Sequence, residues 1–236
     1  MGRSVVLAGA ARCPGCSLPP RWCTCAMLPP VETGLTVHLL IHRHEQVKPS
    51  STGALVGRVV TGAVTHTYQR ANRFFPAAGF PAAALEPGRT LWVLHPRGEP
   101  WPTALDAHAE AIAAGTQIAV LDGTWRQAGE MLRSLEGLGR PVRCVRLPDS
   151  TAAPSRYWLR DQPAAEQLST AEAVMAVFRS VGEPEADRRL RLHFELHVYA
   201  TLRARGRREM AERYLGHSPL PSQAADALDR LHAREA

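Results

Sequence analysis

Gln117-Ile118-Ala119-Val120-Leu121-Asp122-Gly123-Thr124-Trp125 is the stretch on which the fold turns. Residues 118–121 are apolar without a break, the mark of a strand buried on both faces, and such strands belong to parallel sheets covered by helices. Asp122 and Gly123 end the run. The next residues place Trp125, Ala128, Met131, Leu132, Leu135 and Leu138 on one face at helical spacing, and Gly139 and Pro141 close that helix. The unit is strand, tight turn, helix.

Working outward, the same alternation repeats. Upstream, residues 35–42 form a buried strand. Residues 49–53, Pro-Ser-Ser-Thr-Gly, then open a helix that runs through Val64, with Ser50, Ser51 or Thr52 as its cap. A second strand, residues 90–94, stops at His95-Pro96, and a helix follows over residues 103–114, closed by Gly115. Downstream, residues 142–147 form a fourth strand. After an irregular stretch come a helix starting at Ser169, an Arg-rich amphipathic helix from about Glu185, and a short helix over residues 222–234. Strands alternating with helices predict an α/β domain with a mostly parallel sheet. In such sheets ligands bind at the carboxyl ends of the strands. Here those ends carry His42-Arg43-His44-Glu45, His95-Pro96-Arg97-Gly98, Asp122-Gly123-Thr124-Trp125 and the segment after Leu147.

Composition narrows the class. The chain has 236 residues, 45% hydrophobic and 21% charged, enough for a real core. No apolar run reaches the length of a membrane-spanning helix. Residues 1–10 are too short an apolar stretch for a signal-peptide core, so the expected location is cytoplasmic with no membrane contact. The formal charge is +6, and all but one of the 28 basic residues are arginine, the exception being Lys48. Arginine's donor fork suits phosphate oxygens, though a genome rich in G and C produces the same bias.

Four of the five cysteines crowd into Cys13-x2-Cys16-x6-Cys23-x-Cys25, with Gly15 easing the turn between the first pair. Two close pairs joined by a short loop suit a tetrahedral Zn2+ site. A redox Cys-x-x-Cys leaves Cys23 and Cys25 unexplained. A closed four-thiolate site is structural, stapling a segment too small for its own core. Cys144, alone in Val142-Arg143-Cys144-Val145, reads as a buried strand residue.

Asp122 admits more than one reading. Either Asp122 or Thr124 can cap the following helix. A phosphatase-type nucleophilic aspartate fails, because Thr124 stands where a second aspartate is needed and no lysine follows Lys48.

The order of these pieces resembles the DTW-domain family of tRNA-uridine aminocarboxypropyltransferases. The pieces are Cys-x2-Cys…Cys-x-Cys, Lys48-Pro49-Ser50-Ser51-Thr52-Gly53, Leu94-His95-Pro96, Asp122-Gly123-Thr124-Trp125, Tyr157-Trp158-Leu159-Arg160 and Leu168-Ser169-Thr170-Ala171-Glu172-Ala173. Each is weak alone; the ordered set is specific, and it covers about residues 13–200. The resemblance implies a SPOUT-like sheet with a C-terminal trefoil knot. It implies a division into a zinc-binding cysteine module (1–30), a catalytic domain (31–205) and a helical C-terminal extension (206–236). It also implies S-adenosylmethionine as donor and N3 of a tRNA uridine as acceptor, with methylthioadenosine as the by-product.

On that reading Asp122 is the base that takes the N3 proton. The donor is expected against Leu94, His95, Pro96, Leu121, Gly123, Thr124, Trp125, Leu168, Ser169 and Thr170. Trp125 either faces the sulfonium or packs the first turn of its helix. Candidates for RNA contact are Arg43, His44, Lys48, Arg126, Arg156 and Arg160; Arg160 alternatively holds the methionine carboxylate. The late arginines Arg203, Arg205, Arg207 and Arg208 add nonspecific attraction or simply line a solvated helix face. His38 and His42 read as core or loop residues rather than ligands. tRNA is the expected partner, and no obligatory protein partner is evident. The rivals are a SPOUT-type RNA methyltransferase and a non-catalytic zinc-knuckle RNA-binding protein.

Overall fold

The computed structural model describes residues 11–85, 88–102, 116–147, 154–159 and 168–234. Their strands are β1 (Thr36–His42), β2 (Val64–Tyr68), β3 (Leu91–Pro100), β4 (Gln117–Asp122) and β5 (Val142–Arg146). They form one sheet in the order β2-β1-β4-β3-β5. Every pairing is parallel. The helices are α1 (Arg43–Gln46), α2 (Thr52–Val59), α3 (Trp125–Glu136), α4 (Thr170–Ser180), α5 (Pro184–Ala204), α6 (Arg208–Leu215), α7 (Leu220–Gln223) and α8 (Ala225–His232). None is long and apolar enough to cross a membrane among the described residues.

The alternation of side chains along the strands divides the core in two. Val37, Leu39, Ile41, Trp92, Leu94, Ile118 and Val120 face α2, α4 and α5. Leu40, Leu91, Val93 and Ala119 face α3 through Ala128, Met131, Leu132 and Leu135. The helix after β1 therefore covers one face and the helix after β4 the other. β1 and β4 are neighbours, with Ile41 opposite Asp122. Adjacent strands whose connections diverge to opposite faces open a crevice at their carboxyl ends. Asp122 stands in it.

Several expectations need correcting. The helix opened by residues 49–53 ends at Val59, and Val64–Tyr68 is an edge strand instead. Its Val-Thr-His-Thr-Tyr is a strand sequence rich in β-branched and aromatic residues, with Val64 and Thr65 exposed and His66 and Tyr68 buried. β3 does not stop at His95-Pro96. It bulges, shifts register against β5 between Leu94 and Glu99, and pairs again through Pro100. Pro96 and Gly98 look like breakers, but a bulge on one strand accommodates both. A side chain at position 98 would meet the Val145 backbone at 2.5 Å. Trp125 leaves the packed face of its helix and is 57% exposed.

α5 is not amphipathic in the expected sense, because Leu190 and residues 192–202 are buried. Its arginines sit towards the ends. Arg203, only 7% exposed, pairs with Glu212 at 2.8 Å and lies over the Trp22 ring. Arg205 donates to the Leu159 carbonyl at 2.8 Å. These two are packing residues, not a free basic patch. Cys144 is half-buried in β5.

The cysteine segment and the C-terminal helices belong to the larger core. Cys16, Leu18, Trp22 and Met27 join it from one end, and Ala211, Tyr214, Leu220, Leu228 and Leu231 from the other. Arg230 donates to the Met27 carbonyl and Arg234 to that of Cys23, tying the two ends together. The helix expected over 103–114 lies outside the described residues. The expected knot turns on residues 148–153 and 160–167, which also lie outside them.

Candidate functional site

Four sequence segments meet at the carboxyl edge of the sheet. Ser51 caps α2, its oxygen accepting the Ala54 N–H at 3.0 Å, while its proton goes to Asp122 Oδ2 at 2.7 Å. Thr170, the first residue of α4, donates to Asp122 Oδ1 at 2.9 Å. The carboxylate thus joins the starts of two helices to the end of β4, and Asp122 is buried with 8% exposure. Gly53 makes room for it: a Cβ there would lie 2.6 Å from Oδ2. The hydroxyl of Tyr157 donates to the Ser50 carbonyl, and His197 donates from Nε2 to that of Pro49 at 2.7 Å. Burial lowers the His197 pKa to about 3, so it serves as a neutral donor.

Thr124, not Asp122, is the cap of α3. Its oxygen accepts the Gln127 N–H, and its own N–H goes to the Gln127 side chain at 2.8 Å. Ser169 caps α4 in the same reciprocal way with Glu172. Glu172 is buried and also receives Ser155 Oγ and the Arg156 N–H. With Thr170 donating to Asp122 and the Ser169 oxygen capping its helix, the roles expected of these hydroxyls on a donor molecule are partly taken by the fold. Leu94 is buried in the core and Leu121 half-buried, so their groups at the edge are backbone ones. His95 is buried; its Nδ1 accepts the Arg97 N–H at 3.2 Å, and burial lowers its pKa. Pro96, Trp125 and Arg126 are exposed at this edge, and Gly123 and Leu168 are half-buried.

The basic candidates divide. Arg43 and His44 are exposed on α1, and Lys48 is 46% exposed while paired with Glu45 at 2.6 Å. Arg156 is not a surface phosphate ligand. Its Nε and Nη2 make a bidentate pair with Glu195 at 2.9 and 2.7 Å, Nη2 also reaches the Tyr214 carbonyl, and its guanidinium lies 4.1 Å from the Tyr214 ring centre. A fork closed on a buried carboxylate holds helices together. Arg160 lies outside the described residues. His42 caps α1, and His38 sits in the core against His66 and Gln117, each at 3.1 Å.

Sequence reasoning passed over Ser51, Gly53 and Tyr157 as individuals, although each stands inside a motif it singled out. Capping explained Ser51 fully at the local level. Its second partner, 71 residues away, leaves no local signal.

At the other end of α2 the four cysteines can hold a metal ion. The sulfur atoms of Cys13, Cys16, Cys23 and Cys25 lie within 4.8 Å of one another, with Cys13–Cys25 at 3.6 Å and Cys16–Cys23 at 3.8 Å. A tetrahedron with Zn–S near 2.3 Å has edges of about 3.8 Å, so the donor set fits zinc. Burial pushes the Cys13 thiol up, but the N–H groups of Cys16 and Gly15 and the neighbouring thiols outweigh it and bring it down to about 6. Burial pushes Cys23 and Cys25 up. Arg58 donates from Nη1 to the Gly15 carbonyl at 3.2 Å. Its Nε and Nη2 are buried with no hydrogen-bond partner among the described residues. A cation so placed suits the net negative charge of zinc bound by four thiolates.

Compared with known families, the chain matches the DTW domain over residues 10–202. No solved structure matches it.

Proposed function

Because the chain belongs to the DTW-domain family, a membership that suggests a role in tRNA modification, we propose that it is a tRNA-uridine aminocarboxypropyltransferase. The observation that carries this reading is the meeting of its separate motifs on one carboxylate, Asp122, in the crevice between β1 and β4. A SPOUT-like fold with its knot is part of the same proposal.

The reaction joins uridine N3 to the γ-carbon of the donor's methionine moiety. Bound S-adenosylmethionine supplies a sulfonium leaving group: the N3–Cγ bond forms, the Cγ–S bond breaks, and its electron pair stays on the sulfur of methylthioadenosine. Neutral N3 is a weak nucleophile, since its lone pair is conjugated and it carries a proton. Asp122 takes that proton. Hydroxyls from Ser51 and Thr170 hold the carboxylate in one orientation, so no reorganisation accompanies the transfer. The starts of α2 and α4 favour an anionic group such as the methionine carboxylate.

The backbone at Leu94, His95, Pro96, Leu121, Gly123 and Leu168 lines the same edge. The exposed Trp125 ring offers a π-face to the sulfonium. Arg43, His44, Lys48 and Arg126 are the basic groups offered to tRNA phosphates. Cys13, Cys16, Cys23 and Cys25 hold a structural Zn2+ that takes no part in the chemistry.

Mass spectrometry of nucleosides after incubating tRNA with protein and donor tests the reading. Aminocarboxypropyl-uridine with methylthioadenosine is expected; a methylated nucleoside with S-adenosylhomocysteine would overturn it. Asp122→Asn is expected to fold and to bind the donor while losing transfer at least about a hundredfold. An active Asp122→Asn enzyme removes Asp122 from the role of base.

A further inference from the structure

Residues 69–78 form a loop that holds two aromatic rings out into solvent. Phe74 is 70% and Phe75 41% exposed. The presentation is built rather than loose. Asn72 Oδ1 accepts the N–H groups of Phe74 and Phe75 at 2.9 and 3.0 Å, and the Asn72 N–H returns to the Phe75 carbonyl at 2.9 Å. Gln69 and Ala78 exchange backbone bonds at 2.8 and 2.9 Å across the loop's base. The rings carry cations: the Arg43 guanidinium lies 3.6 Å from the Phe75 centre and that of Arg73 4.5 Å from the Phe74 centre.

The loop lies beside the carboxyl edge of the sheet. Arg43 starts α1, directly after β1, and donates to Gln69 Oε1 at 2.5 Å. Arg70 pairs with Glu130 of α3 at 3.8 Å. Scattered apolar residues on a surface need no explanation, but two adjacent rings fixed outward by their own backbone call for one.

We propose that Phe74 and Phe75, with Arg43 and Arg73, form a stacking platform for unpaired bases of the RNA substrate. The inference rests on the proposed function for its partner class. Rings supply π-faces to splayed bases of any identity, and arginines on the same loop supply positive charge to the phosphates between them. A patch meant for a second copy of this chain would gain nothing from ringing its aromatics with two like charges. The platform binds single-stranded nucleotides flanking the one that enters the crevice.

The test uses the full-length, zinc-loaded protein and fluorescence anisotropy with labelled tRNA and with a single-stranded oligouridylate. Phe74→Ala with Phe75→Ala is expected to weaken both RNAs about tenfold or more. The slope of log affinity against log salt stays unchanged, because phosphate contacts remain, whereas Arg43→Gln with Arg73→Gln lowers that slope. Phe74→Trp with Phe75→Tyr restores binding. Donor affinity is unaffected in all of them. Wild-type RNA affinity in the double alanine variant would overturn the platform, as would a change confined to oligomeric state on gel filtration. RNA binding that depends on the rings without any modified nucleoside would sink the proposed function and leave the platform standing. Modification at an unchanged KM for tRNA in the double alanine variant would do the reverse.

Discussion

Two irregular loops of this chain, residues 13–25 and residues 69–78, treat their aromatic side chains in opposite ways. In the first, Trp22 is buried at 2%, edge-on to Tyr199 at 6.5 Å and covered by the Arg203 guanidinium. In the second, Phe74 faces water. Neither loop has a strand or α-helix to satisfy its backbone. The cysteine loop is fixed by four side chains converging on one point and by arginines from the far C-terminus reaching its carbonyls. The phenylalanine loop is fixed mainly by its own backbone and the side chains of Gln69 and Asn72, with contacts to Arg43 and Glu130 outside it. A loop that is stapled can serve as part of a core; a loop that folds on itself is free to present what it carries. One contributes to stability and the other to recognition.

Removing the staple should produce the largest effect. Zinc-free protein, prepared with a chelator, or Cys25→Ser should lose several kcal/mol of stability, because the ion's binding energy is folding energy for such a loop. Trp22 should then become accessible to a fluorescence quencher. A zinc-free protein that melts with the loaded one would erase the contrast. Next in size is Trp22→Ala in the loaded protein, expected to lose about 3–5 kcal/mol in denaturant titrations. A loss below about 1 kcal/mol would mean that Trp22 merely rests on the core.

Acid should act from the other side. The phenylalanine loop runs into Phe80, which packs on His38 and His66 at 5.0 and 4.4 Å between ring centres. Burial lowers the pKa of both rings, His38 to about 4. Their contribution is fully present above the unfolded value near 6.5. It is lost as the pH falls towards 4, since the unfolded chain takes up the protons first. The stability of the loaded protein should therefore fall between pH 7 and pH 5, with His38 contributing on the order of 2 kcal/mol, and the melting temperature should fall with it. His38→Gln should flatten that slope, and an unchanged slope would mean that other groups govern it. Smallest of all, Phe74→Ser should change stability by no more than about 0.5 kcal/mol. A larger loss would turn the presented ring into a packed one and dissolve the difference between the loops.

Much of this was legible in the sequence. Short apolar-rich runs announced four of the five strands, and the helical spacing after Trp125 announced α3. The fifth strand, Val64–Tyr68, was absorbed into a preceding helix because Thr-Gly at 61–62 is a weaker stop signal than it proves to be: Gly62 has φ 76°. The cysteine spacing foretold the convergence of four sulfurs, since ligands so close in sequence have little freedom to meet elsewhere. Arg156 and Arg203 were misread as surface groups. Glu195 is 39 residues from Arg156, and Glu212 reaches Arg203 only because the chain turns between α5 and α6, so neither pairing follows from helical spacing.

What the sequence determined by itself is what local periodicity and local chemistry encode: strands, helices, caps, a four-thiol knuckle and an aspartate at a strand's end. Tertiary structure alone decided that Ser51, Asp122 and Thr170 share one set of hydrogen bonds, and that Phe74 faces outward while Trp22 faces in. The physical reason is range. Backbone propensity and side-chain alternation act over one or two turns, whereas contacts between residues 48 and 71 positions apart exist only after helices from both faces have packed on the sheet.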